Sequence, residues 1–342
     1  MAAGERYSVN DAKDWARENF HGVCNVIIPS YTRDLRNLNE AGIRHDVRRN
    51  IELGFWGALL VSEAGTQLEE MRRFMEIAVD EAAGRHYLVL HGSFNTLDEL
   101  VRITEDAKSI GVDAVLLCYP NSFYPTTVAE LEGFVRDFAE RCELGIILFS
   151  APHFNFDRLD DRGYPLSCLL NVVDLPNVVA VKYEVGQPGV LGSYEVFRKL
   201  ARHDVIVTDP FEPNLLMWMD LFDVQWAGTS NYEYLGSAVP EMFAAMRAGD
   251  QEAAYQKYWS TQPARRMRVR LQSSFTGANF NHRYVWKYQA WLQGYNGGPI
   301  RQPAMKLTDD QMRLAAEGLV ASGLLKEVPS DFSSFFIGRN PS

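Results

Sequence analysis

The stretch NVVAVKYEVG, residues 177–186, closes a run of apolar, β-branched side chains (Val178, Val179, Val181) with one lysine, Lys182. Such a run reads as a fully buried parallel strand, where an ammonium group is costly. Desolvation disfavours the charged form of a buried lysine, and a neutral amine attacks a ketone. The product is a Schiff base, whose protonated iminium withdraws electrons from the neighbouring carbon and lets a carbon–carbon bond break or form through an enamine. The alternative is a lysine whose stem lines the strand end while its head reaches water or a carboxylate such as Glu184. Two histidines follow other apolar runs, His91 in YLVLHG and His153 in GIILFSAPHF. Histidine titrates near neutral pH, so each either does acid–base work or serves as a packing residue and loop hydrogen-bonder.

The other chemistries have weaker support. The seven histidines show neither HxH nor HExxH spacing, whereas catalytic zinc wants about three protein ligands close in space. No metal is expected. Gly92, Gly186 and Gly189 do not make a phosphate-cradling GxGxxG, and a lysine–iminium mechanism needs no cofactor. A net charge of −10 leaves no broad basic field for nucleic acid, so the partner is expected to be a small molecule. No window approaches the roughly 20 uninterrupted apolar residues of a membrane span. The four cysteines (Cys24, Cys118, Cys142, Cys168) form no CxxC pair, and MAAGERYSVNDAK lacks a signal-peptide core. A cytoplasmic setting with reduced thiols follows as the expectation.

Eight short apolar runs, VCNVIIP, GALLVS, YLVLHG, DAVLLCYP, GIILFSAP, VVAVKY, VIVTD and VQWAGTS, alternate with longer amphipathic stretches. One of these, TLDELVRITEDAKSIG, opens on Thr96 as N-cap with Glu99 three residues on and closes at Gly111; another is EEMRRFMEIAVDEAAG. The 342 residues, 46% hydrophobic, suit two ordinary domains or one α/β barrel. Strand then helix, eight times over, predicts a (β/α)8 TIM barrel over residues 1–235, although the pattern alone also fits a doubly wound sheet. Residues 236–342 are expected to form a C-terminal helical region packed on the barrel, interrupted around Gly297, Gly298, Pro299 and Pro303. Its tail, DFSSFFIGRNPS, is expected to dock through Phe332, Phe335 and Phe336.

In such a barrel the ligand site forms at the C-terminal ends of the strands. Lys182 stands at such an end, and strand arithmetic adds Asp209, Gly228 and Thr229. Asp209 reads first as a helix cap, and Gly228 as a point of close ligand approach. The aromatic residues near these ends, Tyr31, Phe123, Tyr124, Phe149, Phe154, Phe156 and Trp226, suit a flat apolar substrate or fill an ordinary core.

On VVAVKYEVG, GIILFSAPHFNFD and LVLHGSFNT, the chain resembles the dihydrodipicolinate synthase and N-acetylneuraminate lyase superfamily, from about Gly22 into the helical region. SAPHFNFD, VKY and FNHRYVWKYQAWLQGYNGGPIRQP are most similar to hydratase-aldolases that cleave benzylidenepyruvates into an aromatic aldehyde and pyruvate. The resemblance implies a Schiff-base lyase with Lys182 as its lysine, a 2-oxo acid substrate and a homotetramer. A dehydratase on another keto acid, and a catalytically silent keto-acid-binding barrel, are the competing readings.

The family pattern is broken in places. Its GTTGE-like turn, which holds the keto-acid carboxylate, reads LVSEAGTQL here: Ser62 keeps a hydroxyl, and Glu63 brings a negative charge where glycine is expected. Glu63 therefore points away, is protonated, serves a different substrate, or is a solvent-facing loop acid. The family's proton-shuttling tyrosine is replaced by Phe149 in FSAP. Asn121 and Ser122 stand where paired tyrosines would, in CYPNSFYPTT, and are expected to line the substrate site. His153 and His91 are the candidates to take over the tyrosine's acid–base work.

Overall fold

The computed structural model describes residues 6–185, 189–276 and 283–342. Each of the eight apolar runs forms a strand: β1 (Gly22–Ile27), β2 (Gly57–Leu60), β3 (Tyr87–Gly92), β4 (Ala114–Leu117), β5 (Gly145–Ser150), β6 (Val178–Tyr183), β7 (Ile206–Thr208) and β8 (Trp226–Ala227). The strand order is β7-β6-β5-β4-β3-β2-β1-β8: β1 to β7 stand side by side in sequence order, and the last strand lies beside the first. That is the order of a (β/α)8 TIM barrel, with further helices at the C-terminus. A doubly wound sheet would instead reverse its order at a switch point. β8 is shorter than its apolar run because the Gly228 amide donates to the Thr208 hydroxyl at 3.3 Å instead of continuing a ladder.

The chain divides into two compact units, Met1–Cys24 with Tyr87–Thr229, and Asn25–His86 with Ser230–Ser342. In the first, parallel pairing sets the rows of side chains that matter for chemistry. Phe149, Lys182 and Thr208 lie in one row across β5, β6 and β7. The row beneath, two residues earlier along the strands, holds His91, Leu116, Ile147 and Ala180. Paired residues of a parallel sheet share a face, and the alternation along each strand puts both rows on the same one. The helix Leu97–Ile110 forms as its sequence predicts: the Thr96 hydroxyl accepts from the Glu99 amide, and Gly111 ends the helix at φ 102°.

In the second unit, the helical stretch 239–259 is two helices, Ala238–Arg247 and Gln251–Ser260. Gly249 breaks them at φ 79°, and the Asp250 carboxylate caps the second through the Ala253 amide. The tail docks through a short helix, Ser333–Ile337, whose Phe335 is fully buried. Its ring meets Tyr288 at 5.1 Å and Tyr284 at 5.2 Å between centroids, while Phe332 and Phe336 make the outer contacts. Of the segment FNHRYVW, residues 280–282 lie outside the described residues. Phe335→Ala is expected to cost about 3–5 kcal/mol, the usual loss for a fully buried aromatic, and urea unfolding followed by circular dichroism measures it.

Candidate active site

Strand alternation turns Lys182 and Glu184 to one face and Tyr183 to the other. The Tyr183 hydroxyl accordingly donates to the Arg162 carbonyl at 2.5 Å. Lys182 is 4% exposed. Its Nζ lies 3.0 Å from Glu184 Oε2 and 3.9 Å from the centre of the Phe149 ring. The lysine head thus reaches the carboxylate that its sequence offered as an alternative anchor, but it does so from a buried position. A cation over an aromatic face gains about 2 kcal/mol or more when desolvated. Phe149, in the adjacent strand and the same row, supplies that face.

Beyond Lys182, in the next strand, Thr208 is 1% exposed. Asp209 is saturated: it accepts from the Phe211 amide at 2.8 Å, the Asn214 amide at 2.8 Å and the Trp218 indole at 2.7 Å. Burial pushes its carboxyl above the usual range against these donors, and the charge of Glu184 adds to the push. Asp209 therefore ties the segment after β7 together, but not as the helix cap its sequence position suggested, because Phe211 and Asn214 hold the cap positions of the 3-10 turn and the helix that follow. A Cβ at Gly228 would meet Cys24 Cβ at 2.7 Å and the Trp226 ring at 2.8 Å, so packing requires this glycine. Thr229 is 2% exposed, and its hydroxyl has no hydrogen-bond partner among the described residues.

The segment after β5 carries an aromatic group. His153 lies in a 3-10 turn, Pro152–Phe154, that Asn155 ends in the left-handed region at φ 57°. Its ring is 4.3 Å from Phe154 and 5.8 Å from Phe149, between centroids. Phe154 continues to Phe149 at 5.2 Å and Tyr119 at 5.0 Å. His91 is buried in the row beneath Lys182. Tyr119 and Tyr164 share a hydroxyl–hydroxyl bond of 2.6 Å, and burial raises both phenols well above their ordinary range. Tyr124 is 64% exposed, under the Arg158 guanidinium at 3.7 Å. Asn121 and Ser122 are exposed on the turn after β4. Ser122 borders an open groove with Leu97, Phe123, Phe134 and Asp137, a groove whose lining includes neither Lys182 nor Phe149.

In the second unit, Ser62 is buried just past β2, beside Glu63. Glu63 is ion-paired with Arg283. The guanidinium of Arg283 also lies 4.4 Å from the Trp286 ring, and its Nε has no hydrogen-bond partner among the described residues. The charge that looked repulsive in sequence is thereby compensated. Arg283 was invisible as the partner because 220 positions separate it from Glu63. Glu184, by contrast, was legible from its i+2 spacing to Lys182 within one strand.

Among the described residues no group of His, Cys, Asp and Glu is arranged to hold a metal ion, and no helix is long and apolar enough to cross a membrane. All four cysteines are buried free thiols.

A parallel eight-stranded barrel with a buried lysine closing its sixth strand is the architecture of the class I Schiff-base aldolases and lyases, and the sequence comparisons agree. Residues 19–317 match the dihydrodipicolinate synthetase family, and the chain belongs to that family. It is 26% identical over 314 residues to the 4-hydroxy-tetrahydrodipicolinate synthase of Methanopyrus kandleri, covering 90% of this chain and 97% of the relative. The N-acetylneuraminate lyase of Clostridium perfringens (strain SM101) is 23% identical over 302 residues, covering 86% and 97%. The solved N-acetylneuraminate lyase of Fusobacterium nucleatum, complexed with pyruvate, shares the fold with a TM-score of 0.69 at 20% identity, over 88% of this chain and 96% of its own.

Asp209→Ala strips the acceptor from three donors at once. It is expected to lower stability by at least about 2 kcal/mol, given about 1–3 kcal/mol for each buried group left unsatisfied, with Asp209→Asn costing less; guanidinium unfolding monitored by Trp fluorescence measures both.

Proposed function

We propose that this protein is a Schiff-base lyase of the aldolase or hydratase-aldolase type, acting on a 2-oxo acid with a bulky, aromatic substituent and releasing or using pyruvate. The observation that carries the reading is Lys182 itself, a lysine 4% exposed at the end of β6, held between the Phe149 ring and the Glu184 carboxylate. The pyruvate complex of the Fusobacterium nucleatum lyase supports a 2-oxo acid as the ligand class. The ring group of Phe149, Phe154 and Tyr119 supports an aromatic substituent, since flat apolar surfaces stack on rings of this kind.

In this mechanism Lys182 attacks the C2 carbonyl, water leaves, and the iminium draws electrons from the adjacent carbon as the carbon–carbon bond breaks. His153, whose ring edges Phe149, and His91, in the row beneath Lys182, do acid–base work on the substrate in place of the family tyrosine. Thr229 offers an uncommitted buried hydroxyl, and Gly228 keeps the backbone beside it open. Ser62 grips the substrate carboxylate, made tolerable next to Glu63 by the compensating Arg283. Asn121 and Ser122 are the weakest members of the proposed site, being exposed. No metal or cofactor takes part in this reading; the resemblance supports a homotetramer, and the four free thiols support a cytoplasmic setting.

Three measurements test the proposal. Borohydride reduction with pyruvate is expected to leave a stable added mass on the peptide containing Lys182, and to leave none in Lys182→Ala. An unmodified wild-type peptide across a panel of keto acids would point to a silent binding barrel. Pyruvate with a panel of aldehydes, read by product mass, is expected to favour aromatic aldehydes; preference for a sugar or an aliphatic semialdehyde would reject the aromatic substituent. The third measurement concerns Phe149→Tyr. A buried hydroxyl without a partner costs about 1–3 kcal/mol, so turnover is expected to stay level or fall. A many-fold gain would show that no histidine has replaced the tyrosine.

A further inference from the structure

With His153 and His91 acting on the substrate, the protons exchanged at Lys182 itself need a carrier of their own. Forming the iminium requires a proton to leave the Lys182 ammonium and a proton to reach the departing oxygen, and Phe149 supplies neither. The neighbouring phenols are engaged elsewhere: Tyr183 donates to the Arg162 carbonyl on the opposite face of β6, and Tyr119 is bonded to Tyr164. Asp209 already accepts three hydrogen bonds. Among the described residues, the carboxylate paired with Lys182 is Glu184, 3.0 Å from Nζ.

We propose that Glu184 is a catalytic residue, the proton carrier of Schiff-base formation at Lys182; the inference rests on the lyase reading above. Two structural facts fit it to the task. Glu184 follows Lys182 by two positions, and its amide donates to the Ser150 carbonyl at 2.7 Å, so the β5–β6 ladder holds it on the lysine's face. Its side chain is 31% exposed against 5% for Lys182, so one carboxylate spans the buried amine and the solvent. The Lys182 ammonium gives a proton to Glu184 and becomes an amine. The nitrogen lone pair bonds to C2 of the 2-oxo acid, the carbonyl electrons move to oxygen, and a proton passes from nitrogen to that oxygen to give the carbinolamine. Glu184 then protonates the hydroxyl, the C–O bond breaks, water departs, and the C=N bond forms. The cycle consumes one ammonium and one ketone and yields one iminium and one water, with Glu184 again a carboxylate beside the new cation.

The same carboxylate also balances the lysine charge, so the test must separate proton transfer from pairing. Full-length wild type, Glu184→Gln, Glu184→Asp and Glu184→Ala are incubated with pyruvate, quenched with borohydride at intervals, and the Lys182 peptide is weighed. Glu184→Gln is expected to label about 10²-fold or more slowly, within the range general acid–base catalysis provides, while reaching the wild-type end point. Glu184→Asp is expected to recover part of the rate. Added formate or acetate is expected to speed Glu184→Ala, the more basic anion more strongly. A wild-type labelling rate in Glu184→Gln, or a slow Glu184→Ala that neither anion speeds, overturns the assignment while leaving the lyase reading intact. Failure of the wild type to label at all overturns both.

Discussion

A cation in an apolar strand is unstable unless something within a few ångströms compensates it, and the arrangement around Lys182 answers that requirement. The ammonium rests on the face of Phe149 and against the carboxylate of Glu184. Both contacts follow from strand geometry: Phe149 is its register partner on β5, and Glu184 is its i+2 neighbour along the chain. A one-residue slip of β6 would turn Lys182 to the opposite face and carry Tyr183 into its place. The register is fixed by the surrounding apolar residues, so the core that stabilises the barrel also aims the amine.

The loss of the family tyrosine reads differently in this setting. Phenylalanine at 149 withholds a proton but offers an unobstructed ring to the lysine head and to Phe154. The aromatic group running through Phe154 to Tyr119 makes this side of the site apolar. Acidic and basic groups lie around it: His153 at its edge, Glu184 beside the lysine, and His91 one row deeper. The Glu63–Arg283 pair makes the same point in the second unit, where a carboxylate that breaks the family's turn is matched by a cation from a distant helix.

Much of the fold was legible because its signals are local. Eight short apolar runs became eight strands, Thr96 and Gly111 bounded their helix, and the aromatic tail docked through Phe335. The end of β8 was not legible, since it depends on a hydrogen bond from Gly228 to the Thr208 side chain of another strand. Gly228 was expected to make room for ligand; Cys24 and Trp226 crowd its position and add a packing reason for the same glycine, which the sequence did not show. Asn121 and Ser122 were placed by alignment with a motif, and their exposure follows from how the turn after β4 leaves the sheet, which the motif does not encode.

What the sequence determined by itself was the eightfold strand–helix alternation, the lysine at the end of the sixth strand and the carboxylate two residues on, because periodicity and i+2 spacing act over short stretches of chain. The tertiary structure decided which groups meet across strands: Phe149 under the Lys182 head, three donors on Asp209, Tyr119 bonded to Tyr164, and Arg283 on Glu63. Those pairings depend on register and on loops that bring together residues up to 220 positions apart, and no local pattern carries that information.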